Sequence, residues 1–479
     1  MHLMELMKLA LHLLCWFVEI ITLLKKELFH ELIIKNIHLE ELVMQANFQQ
    51  FSGRTTKLLT ALAVSITIAG WTAPVVAEDE KEVKLGVVTF LSGGAAGPFG
   101  IPARNAAELM IESINSGGLP APYTSVGLAG SKIVPIYVDE ASKQKVADYK
   151  KLVQKDGVDA IVGYISSGSC KAIAPVAEEE KKLTVLFDCG TPQIFEEIVT
   201  APNYVFRTAG HATMDNVAAA KYVLDLNKDV SSIAGINQNY AWGQDSWRDF
   251  SASMIALKDG VTTSTEQFPK IYAGQYGSEI SALLTKKSDV VHSSFWGGDM
   301  EALVIQGGGR NLFSRSQVIL TTGETAMQRL GPQMPDGTII GARGPNGPLA
   351  ADSPLNDWFK KAYFDRFGSL PTYPSYHMAQ AILGVKAASD KAASTDQEAV
   401  KEALKGLEFM TPSGKVSMKL SDGHQAIQET AYGTYKYDKE TGKGTLVNIK
   451  RYNASCVNPP AGVKSIEWIE SGFKGAVCN

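Results

Sequence analysis

The sequence shows no strong excess of charge of either sign. Its 479 residues include 46 Lys and Arg against 50 Asp and Glu, which leaves a formal net charge of −4. Proteins that are drawn to nucleic acid or anionic lipid carry basic patches, so we expect neither partner here. A hydrophobic fraction of 45% and a charged fraction of 20% are typical of globular proteins, and the length predicts two or three domains.

The sequence also lacks the common catalytic and cofactor-binding motifs. It contains no P-loop, GxSxG or HExxH, and no Gly-x-Gly turn after the first predicted strand. The match of residues 142–145 to SxxK stands without the SDN and KTG motifs that accompany it in enzymes. Four histidines beyond residue 77 have no metal-ligand spacing, and we expect surface or packed side chains: His211, His292, His377 and His424. We therefore predict no enzyme activity, no cofactor and no metal site.

Cysteine is scarce, and no CxxC spacing suggests a zinc site. Cys15 lies in a segment that we expect to be absent from the mature protein. The remaining four allow three disulfide connectivities in an exported chain. Pairing of Cys456 with Cys478 is favoured, because it would close a tail that contains Gly and Pro. Pairing of Cys170 with Cys189 requires adjacent parallel strands to bring these residues together.

One long uncharged run stands out at residues 58–77 (LLTALAVSITIAGWTAPVVA), preceded by two basic residues. It ends with Val75 and Ala77 at the small-residue positions that signal peptidase requires. These features predict a signal peptide over residues 44–77, cleaved after Ala77. A membrane anchor is the alternative, since 20 apolar residues can cross a bilayer, but Pro74 and the small residues favour cleavage.

Residues 1–43 are harder to explain, because a signal peptide normally begins near the start codon. Met44 provides a natural start, so we interpret residues 1–43 as a mis-assigned upstream extension. The alternative is a hydrophobic helix over residues 9–24, but His12 and Glu19 interrupt it and it is short for a membrane span. In either case the fold begins after residue 77.

From residue 83 onward, short apolar runs alternate with helical stretches. We predict strands at residues 83–90, 132–139, 160–163, 183–187, 232–236, 261–268, 289–293, 318–320, 414–420 and 430–437. We predict helices that include residues 103–115, 143–155, 355–367, 376–388 and 397–407. Nearly continuous apolar strands between helices indicate parallel sheets that are covered on both faces. Because the strands are too many for one compact sheet, we predict an α/β fold of two doubly wound, Rossmann-like lobes.

Breaks in the pattern give the expected domain boundaries. The strand and helix alternation restarts after Phe206, and a Pro- and Gly-rich segment occupies residues 341–348. Together with the resemblance described below, these breaks predict a first lobe of residues 78–208 plus 338–430. The second lobe would comprise residues 209–337 plus 431–479.

Two loops at the carboxyl ends of predicted strands carry the chemistry of an anion site. In open α/β sheets, ligands bind where such loops leave the strands. Ser166 and Ser167 open a helix, where hydroxyls and free N–H groups can receive a carboxylate; capping of that helix is the alternative. The next strand is followed by Gly190 and Thr191, again with a hydroxyl and accessible backbone. Two adjacent loops of this kind favour a binding role.

Six segments occur in an order that resembles the type I periplasmic binding proteins of the leucine/isoleucine/valine-binding group. They are VKLGVVTFLSGGAAGPFG, RNAAELMIESINSGG, KDGVDAIVGYISSGS, YVFRTAG, NQNYAWGQD and TTGETA. The resemblance covers nearly all of the chain after residue 77. It implies two lobes joined by three crossover hinge segments, with a ligand captured between the lobes.

The resemblance also implies roles for individual residues. Ser166 or Ser167 and Thr191 fall where related proteins hold the ligand carboxylate, and Gly190 would contribute its backbone. Glu324 falls where amino-acid binders place the carboxylate that pairs with the ligand ammonium; its alternative role is to cap the helix that follows.

Aromatic and loop residues would complete the implied pocket. Phe99 resembles the aromatic residue of the first-strand loop that touches the ligand side chain. Trp242 occupies a position that usually holds Tyr, which puts that contact in doubt. Residues in loops of the second lobe are further candidates: Tyr240, Phe295, Trp296 and Asp299.

The resemblance implies a monomeric periplasmic receptor that binds an apolar or aromatic amino acid and delivers it to an ATP-driven ABC permease in the inner membrane. The same fold binding an amide, a urea-like compound or an aromatic carboxylate is one alternative. A sensory ectodomain is another, but it would need a membrane span or a cytoplasmic domain after residue 450. An exported hydrolase would need a nucleophile and base pair, which the sequence does not reveal.

Overall fold

A computed structural model describes residues 81–478; the predictions for residues 1–43 and 44–77 lie outside this part. The strands are β1 (Glu82–Thr89), β2 (Lys132–Asp139), β3 (Ala160–Gly163), β4 (Thr184–Leu186), β5 (Val205–Arg207), β6 (Ser232–Ile236), β7 (Thr262–Gln267), β8 (Val290–Ser293), β9 (Gln317–Leu320), β10 (Ile339–Gly341), β11 (Glu408–Thr411), β12 (Gly414–Leu420), β13 (Gln425–Ile427), β14 (Thr430–Asp438) and β15 (Lys443–Tyr452). The α-helices are α1 (Ile101–Ser116), α2 (Lys145–Lys151), α3 (Ser167–Glu179), α4 (Ala212–Leu226), α5 (Ala241–Leu257), α6 (Gly277–Lys286), α7 (Gly298–Gly309), α8 (Leu312–Arg315), α9 (Met327–Leu330), α10 (Pro354–Phe367), α11 (Tyr373–Ala392), α12 (Gln397–Leu404), α13 (Ala454–Val457) and α14 (Ser465–Glu470).

The first sheet has eight strands in the order β11-β12-β13-β5-β4-β3-β1-β2. The pairs from β2 through β5 to β13 are parallel, and β12 and β11 extend the sheet with antiparallel pairs. All four residues of β3 and all three of β4 are buried. Helices on both faces of a parallel sheet account for this burial. We call this sheet and its helices lobe 1.

The second sheet has seven strands in the order β15-β14-β10-β9-β8-β6-β7. Its strands pair in parallel from β7 to β10, and β14 and β15 add antiparallel pairs at one edge. We call this sheet and its helices lobe 2. The two lobes form the predicted doubly wound α/β architecture, and the fold class is thereby confirmed.

The chain crosses between the sheets three times. It passes from β5 to α4 through residues 208–211, from β10 to α10 through residues 342–353, and from β13 to β14 through residues 428–429. The predicted boundary at residue 338 differs from this arrangement, because β10 pairs with β9 and β14 in the second sheet. A strand of three residues in a Gly-rich segment gives little sequence signal of its sheet.

Helix α11 is the most deeply buried helix of lobe 1. Of its 20 residues, 16 are buried, and it packs against α1 and α12. Pro374 lies in its first turn, where the missing N–H costs no helical hydrogen bond. No helix within residues 81–478 combines the length and the apolar character that crossing a membrane requires.

Two disulfides join the cysteines in the pairs considered from the sequence. Cys170 in the first turn of α3 is bonded to Cys189, which follows β4. The parallel pairing of β3 with β4 brings these residues together. Cys456 in α13 is bonded to Cys478 and closes the C-terminal tail, which packs on α4 and α5.

The two disulfides should differ in their reaction with a mild reductant. Cys170 and Cys189 are fully buried, whereas Cys478 is exposed. We expect thiol labelling of the folded, mildly reduced protein to modify Cys456 and Cys478 alone, as read by peptide mass spectrometry. Loss of this pair in Cys456→Ala/Cys478→Ala should lower the free energy of unfolding by about 2 to 4 kcal/mol. Labelling of all four cysteines in the folded state would contradict the assignment.

Candidate functional site

A small cavity lies between the two lobes. Its wall combines residues from lobe 1, from lobe 2 and from the crossover at 342–353: Ile165, Ser167, Asp188, Gly190, Tyr240, Trp242, Trp296, Arg343 and Tyr373. Its volume is about 20 Å³, and a cavity needs about 10 to 15 Å³ to hold one water molecule. Entry of a larger ligand therefore requires the lobes or the side chains of the wall to move apart.

A buried arginine provides the main charge on this wall. The two Nη atoms of Arg343 donate to Asp188 Oδ1 and Asp215 Oδ2, each at 2.6 Å. The three side chains are at most 3% exposed. Asp188 follows β4 in lobe 1, Asp215 lies in α4 of lobe 2, and Arg343 lies in a crossover, so the ion pairs tie both lobes to the hinge.

The two carboxylates of this cluster are not equivalent. Burial favours the neutral acid, but the charge of Arg343 holds the pKa of Asp188 below its usual value. Burial dominates at Asp215 and raises its pKa to about 6 despite Arg343. Asp215 Oδ1 has no hydrogen-bond partner within residues 81–478, which is consistent with the weaker stabilisation of its charge. Asp188 is thus the firmer partner of Arg343.

The serine loop predicted from the sequence lies beside the cavity. Ser167 is on the cavity wall, and its Oγ accepts from the backbone N–H of Thr191 at 3.2 Å. Ser166 precedes α3 without a side-chain cap bond. Glu140 braces this loop by accepting from Ile165 N and Ser166 N, each at 2.8 Å. The loop therefore presents Ser167 from a fixed backbone.

Gly190 and Trp242 are in direct contact across the cleft. A Cβ atom at Gly190 would lie 2.0 Å from Trp242 Cε3, so a larger residue cannot occupy this position without displacement of the indole. Trp242 covers Arg343, with the guanidinium carbon 4.5 Å from the ring centroid, and its Nε1 donates to Ser294 O at 2.8 Å. Thr191 is fully buried next to this contact, and its hydroxyl donates to Asp245 in α5 at 2.5 Å.

Aromatic side chains form the remainder of the wall and the layer behind it. Trp296 Nε1 donates to the Tyr240 hydroxyl at 2.6 Å. Phe99 is not on the wall but is fully buried behind it, with ring centroids 5.0 Å from Trp296 and 5.5 Å from Tyr373. Edge-to-face packing of this kind gives a stiff apolar surface.

Glu324 lies behind the wall and contacts lobe 1. Its Oε2 accepts from the backbone N–H of Tyr373 at 3.0 Å, at the first residue of α11. Burial raises its pKa to about 7, and no Lys, Arg or His nitrogen lies within 4.0 Å of it among residues 81–478. Glu324 is therefore a buried acid without a cationic partner, one residue away from the cavity.

Two further candidates lie in lobe 2 away from the cavity wall. Phe295 is buried against Tyr276, with ring centroids 4.8 Å apart. Asp299 accepts from Gln238 Nε2 at 2.6 Å and from the backbone N–H of Tyr272 at 2.7 Å. Both residues shape the loops of lobe 2 that carry Trp296.

Four wall residues had not been identified from the sequence: Ile165, Asp188, Arg343 and Tyr373. Asp188 lies in the loop that was singled out for Gly190. Arg343 is a charged residue inside a Gly- and Pro-rich segment, and this unusual setting was the feature of the sequence from which its role could have been suspected. Within residues 81–478, no group of three or more His, Cys, Asp or Glu side chains has an arrangement suited to a metal ion.

A family model described as "Periplasmic binding protein" matches residues 82–442. The leucine-, isoleucine-, valine-, threonine- and alanine-binding protein of Pseudomonas aeruginosa is 25% identical over 390 residues, which are 80% of this chain and 97% of that protein. The leucine-specific-binding protein of Salmonella typhimurium is 28% identical over 201 residues, which are 40% of this chain and 50% of that protein.

Solved structures share the fold at lower sequence identity. A solute-binding protein of an ABC transporter from Rhodopseudomonas palustris BisB5, in complex with 3,4-dihydroxybenzoic acid, has a TM-score of 0.66 and 21% identity over 78% of this chain and 98% of that one. A leucine-binding protein from Thermotoga maritima MSB8 has a TM-score of 0.63 and 18% identity over 77% and 98%.

The Arg343 cluster should be essential for stability. Arg343→Gln leaves two buried carboxylates without their cation, which should lower the free energy of unfolding by about 3 to 5 kcal/mol. The matched control is Arg366→Gln, since Arg366 pairs with Glu112 at the surface and should contribute no more than about 1 kcal/mol. Urea unfolding followed by circular dichroism measures both. Equal losses for the two variants would contradict the role of the buried cluster.

Proposed function

Because the chain belongs to the periplasmic binding protein family, we propose that it captures an apolar or aromatic amino acid between its two lobes. It then delivers the ligand to an ABC permease in the inner membrane, acts as a monomer and performs no chemistry. The observation that carries this proposal is the interlobe cavity itself, whose wall takes residues from both lobes and from a crossover. A ligand that contacts both lobes favours the closed arrangement.

The polar groups around the cavity suit the two charged ends of an amino acid. Ser167 and the backbone of Gly190 provide donors for the ligand carboxylate at the carboxyl ends of β3 and β4. Glu324 is a buried carboxylate that lacks a cation, and a ligand ammonium would supply one. Tyr373 separates Glu324 from the cavity, so its movement on opening is part of this proposal. Tyr240 and Trp296 would cover an apolar ligand side chain.

An aromatic carboxylate is the second candidate ligand. Ser167 and the backbone of Gly190 offer donors for its carboxylate, and the rings of Trp242, Tyr240 and Trp296 on the cavity wall offer a flat apolar surface for its body. Solute-binding proteins of Rhodopseudomonas palustris with the same fold are in complex with benzoate and 4-hydroxybenzoate.

Glu324 distinguishes the two ligands. In calorimetric titration of the protein with a panel of amino acids and benzoates, Glu324→Gln should weaken amino-acid binding by about 1.5 to 3 kcal/mol, the contribution of a charge-assisted hydrogen bond. Binding of a benzoate should change little. Glu440→Gln, in an exposed turn, is the matched control. If no amino acid binds and a benzoate does, the amino-acid proposal is wrong and the second candidate stands.

The affinity for an amino acid should also depend on pH. Because burial raises the pKa of Glu324 to about 7, its carboxylate becomes protonated as the pH falls from about 8 to about 6. The attraction for the ligand ammonium is then lost, so affinity should decrease with falling pH in the wild type. It should decrease less in Glu324→Gln, in which Asp215, with a pKa of about 6, and Glu140, with a pKa of about 7, still become protonated. Parallel pH profiles for the two proteins would contradict this role.

Export should leave a defined N-terminus. The family supports a periplasmic location, and we propose cleavage of a signal peptide after Ala77. Intact-mass measurement of the protein released from the periplasm should give a chain that begins at Glu78. A chain that retains the apolar run at residues 58–77 in the membrane fraction would instead favour the anchor.

A further inference from the structure

A second and larger cavity lies behind the first crossover. It has a volume of about 280 Å³, close to the lower end of the range of about 300 to 1,000 Å³ that is usual for small-molecule sites. Its wall joins the segment after Thr191, the crossover at 208–211 and the C-terminal segment that precedes α14. The interlobe cavity lies on the other side of the Asp188–Thr191 loop, so the two cavities are separate.

The wall of this cavity contains a buried arginine that lacks a carboxylate partner. Arg207 is 1% exposed. Its Nε donates to Gln425 Oε1, and its Nη1 donates to Cys189 O and to Thr191 O, the latter at 2.6 Å. Its Nη2 makes no hydrogen bond within residues 81–478, and none of their carboxylates lies within 4.0 Å.

This arrangement is unusual for a buried cation. Buried charges in proteins are normally paired with an opposite charge, because removal from water is costly. Arg343, the other fully buried arginine of the hinge region, has two carboxylates within 2.6 Å. Burial, together with the like charge of Arg343, lowers the pKa of Arg207 to about 9, although the more distant carboxylates of Glu196, Asp188 and Asp245 act in the opposite direction. The guanidinium of Arg207 is therefore a buried charge on the wall of a cavity that has no carboxylate in direct contact with it.

Neighbouring polar groups add to the attraction for an anion. Lys464 is an exposed cation on the wall of the cavity. His211 also lines it, and its Nδ1 has no hydrogen-bond partner within residues 81–478. The carboxylate on the wall, Glu196, is engaged by Ser465, whose N–H and Oγ donate to its Oε1 at 3.1 and 2.5 Å. Two cations and one carboxylate leave an excess of positive charge.

The remaining wall combines an apolar part with the polar side chains of Thr200, Ser421 and Gln425; the apolar part consists of Pro192, Phe195, Leu420, Pro459, Pro460 and Val463. An inorganic anion would pair with Arg207 but would leave these surfaces in contact with water. A molecule with one carboxylate and a compact apolar body satisfies both the charge and the apolar wall. We propose that this cavity is a second ligand site, separate from the interlobe cavity, for a small organic carboxylate bound by Arg207.

The location can be tested directly with 4-bromobenzoate soaked into crystals of the protein. Anomalous scattering from bromine should give a peak in the cavity, with the carboxylate within hydrogen-bond distance of Arg207. A peak confined to the interlobe cavity, or no peak, would overturn the proposal. A peak behind the crossover with an empty interlobe cavity would support the second ligand site. The same result would contradict an aromatic carboxylate as the transported ligand, so the experiment distinguishes failure of one proposal from failure of the other.

Solution binding provides the second test. Val463 is 39% exposed at the edge of the cavity, and Val463→Trp should fill it; Val126→Trp, at a site of 52% exposure elsewhere in lobe 1, is the matched control. In calorimetric titration with 4-bromobenzoate, Val463→Trp should lose the binding that the wild type shows at the cavity of Arg207. The control should match the wild type. Identical titrations of all three proteins would refute the site. Competition by inorganic phosphate as strong as that by benzoate would refute its preference for an organic ligand.

Discussion

The arrangement of the two lobes depends on the buried ion pairs of the Arg343 guanidinium. It joins Asp188 of lobe 1 to Asp215 of lobe 2 from a position within a crossover. Arg343 has a φ of 51°, a left-handed conformation that is unfavourable for a residue with a side chain. The ion pairs and the indole of Trp242 above the guanidinium hold it there. The side chains that meet between the lobes, Asp188, Asp215 and Trp242, therefore also hold the backbone of the crossover at Arg343 in place.

The Asp188–Thr191 loop transmits this arrangement to both cavities. On one side Asp188 and Gly190 line the interlobe cavity. On the other side the carbonyls of Cys189 and Thr191 accept hydrogen bonds from Arg207, which lines the second, larger cavity. The disulfide from Cys189 to Cys170 fastens the loop to the start of α3. Because the loop is held from both sides, a movement of the hinge is expected to reach the two cavities together.

Much of the fold could be predicted because its central strands are buried on both faces. The predicted ranges 160–163 and 232–236 agree with β3 and β6, which lie inside their sheets, and the range 132–139 agrees with β2, a partly buried edge strand with a long apolar run. The antiparallel edge strand β15 was missed, because it is largely exposed and its sequence, KGTLVNIKRY, carries three basic residues. Four strands of three or four residues were missed as well, β5, β10, β11 and β13, whereas β4, also of three residues, was found because it lies within a longer apolar run. Apolar patterning predicts strands that build the core and is weak at edges and in short strands.

The residues of the site likewise divide into those that could be predicted from the sequence and those that could not. Ser167 and Gly190 were found because parallel strands present their carboxyl-end loops at one edge of a sheet. Arg343 was not found, because it lies 155 residues from Asp188 and meets it only through the crossing of the chain between lobes. Tyr373 reaches the wall from the first residue of α11, where no local pattern distinguishes it from a core aromatic. Residues that act across a hinge leave no periodic signal in the sequence.

The buried charges around the hinge fall into two groups, those that are paired with an opposite charge and those that are not. Arg343 and Asp188 satisfy one another, so their pairing defines a shape without creating demand for a further charge. Arg207 and Glu324 are also buried, but they are bonded to neutral partners alone. A protein optimised for stability alone gains nothing from such groups, since apolar residues of similar volume are at least as favourable. We propose that a molecule from solution brings the missing charge to each of them, and that binding is thereby selective for the sign of that charge.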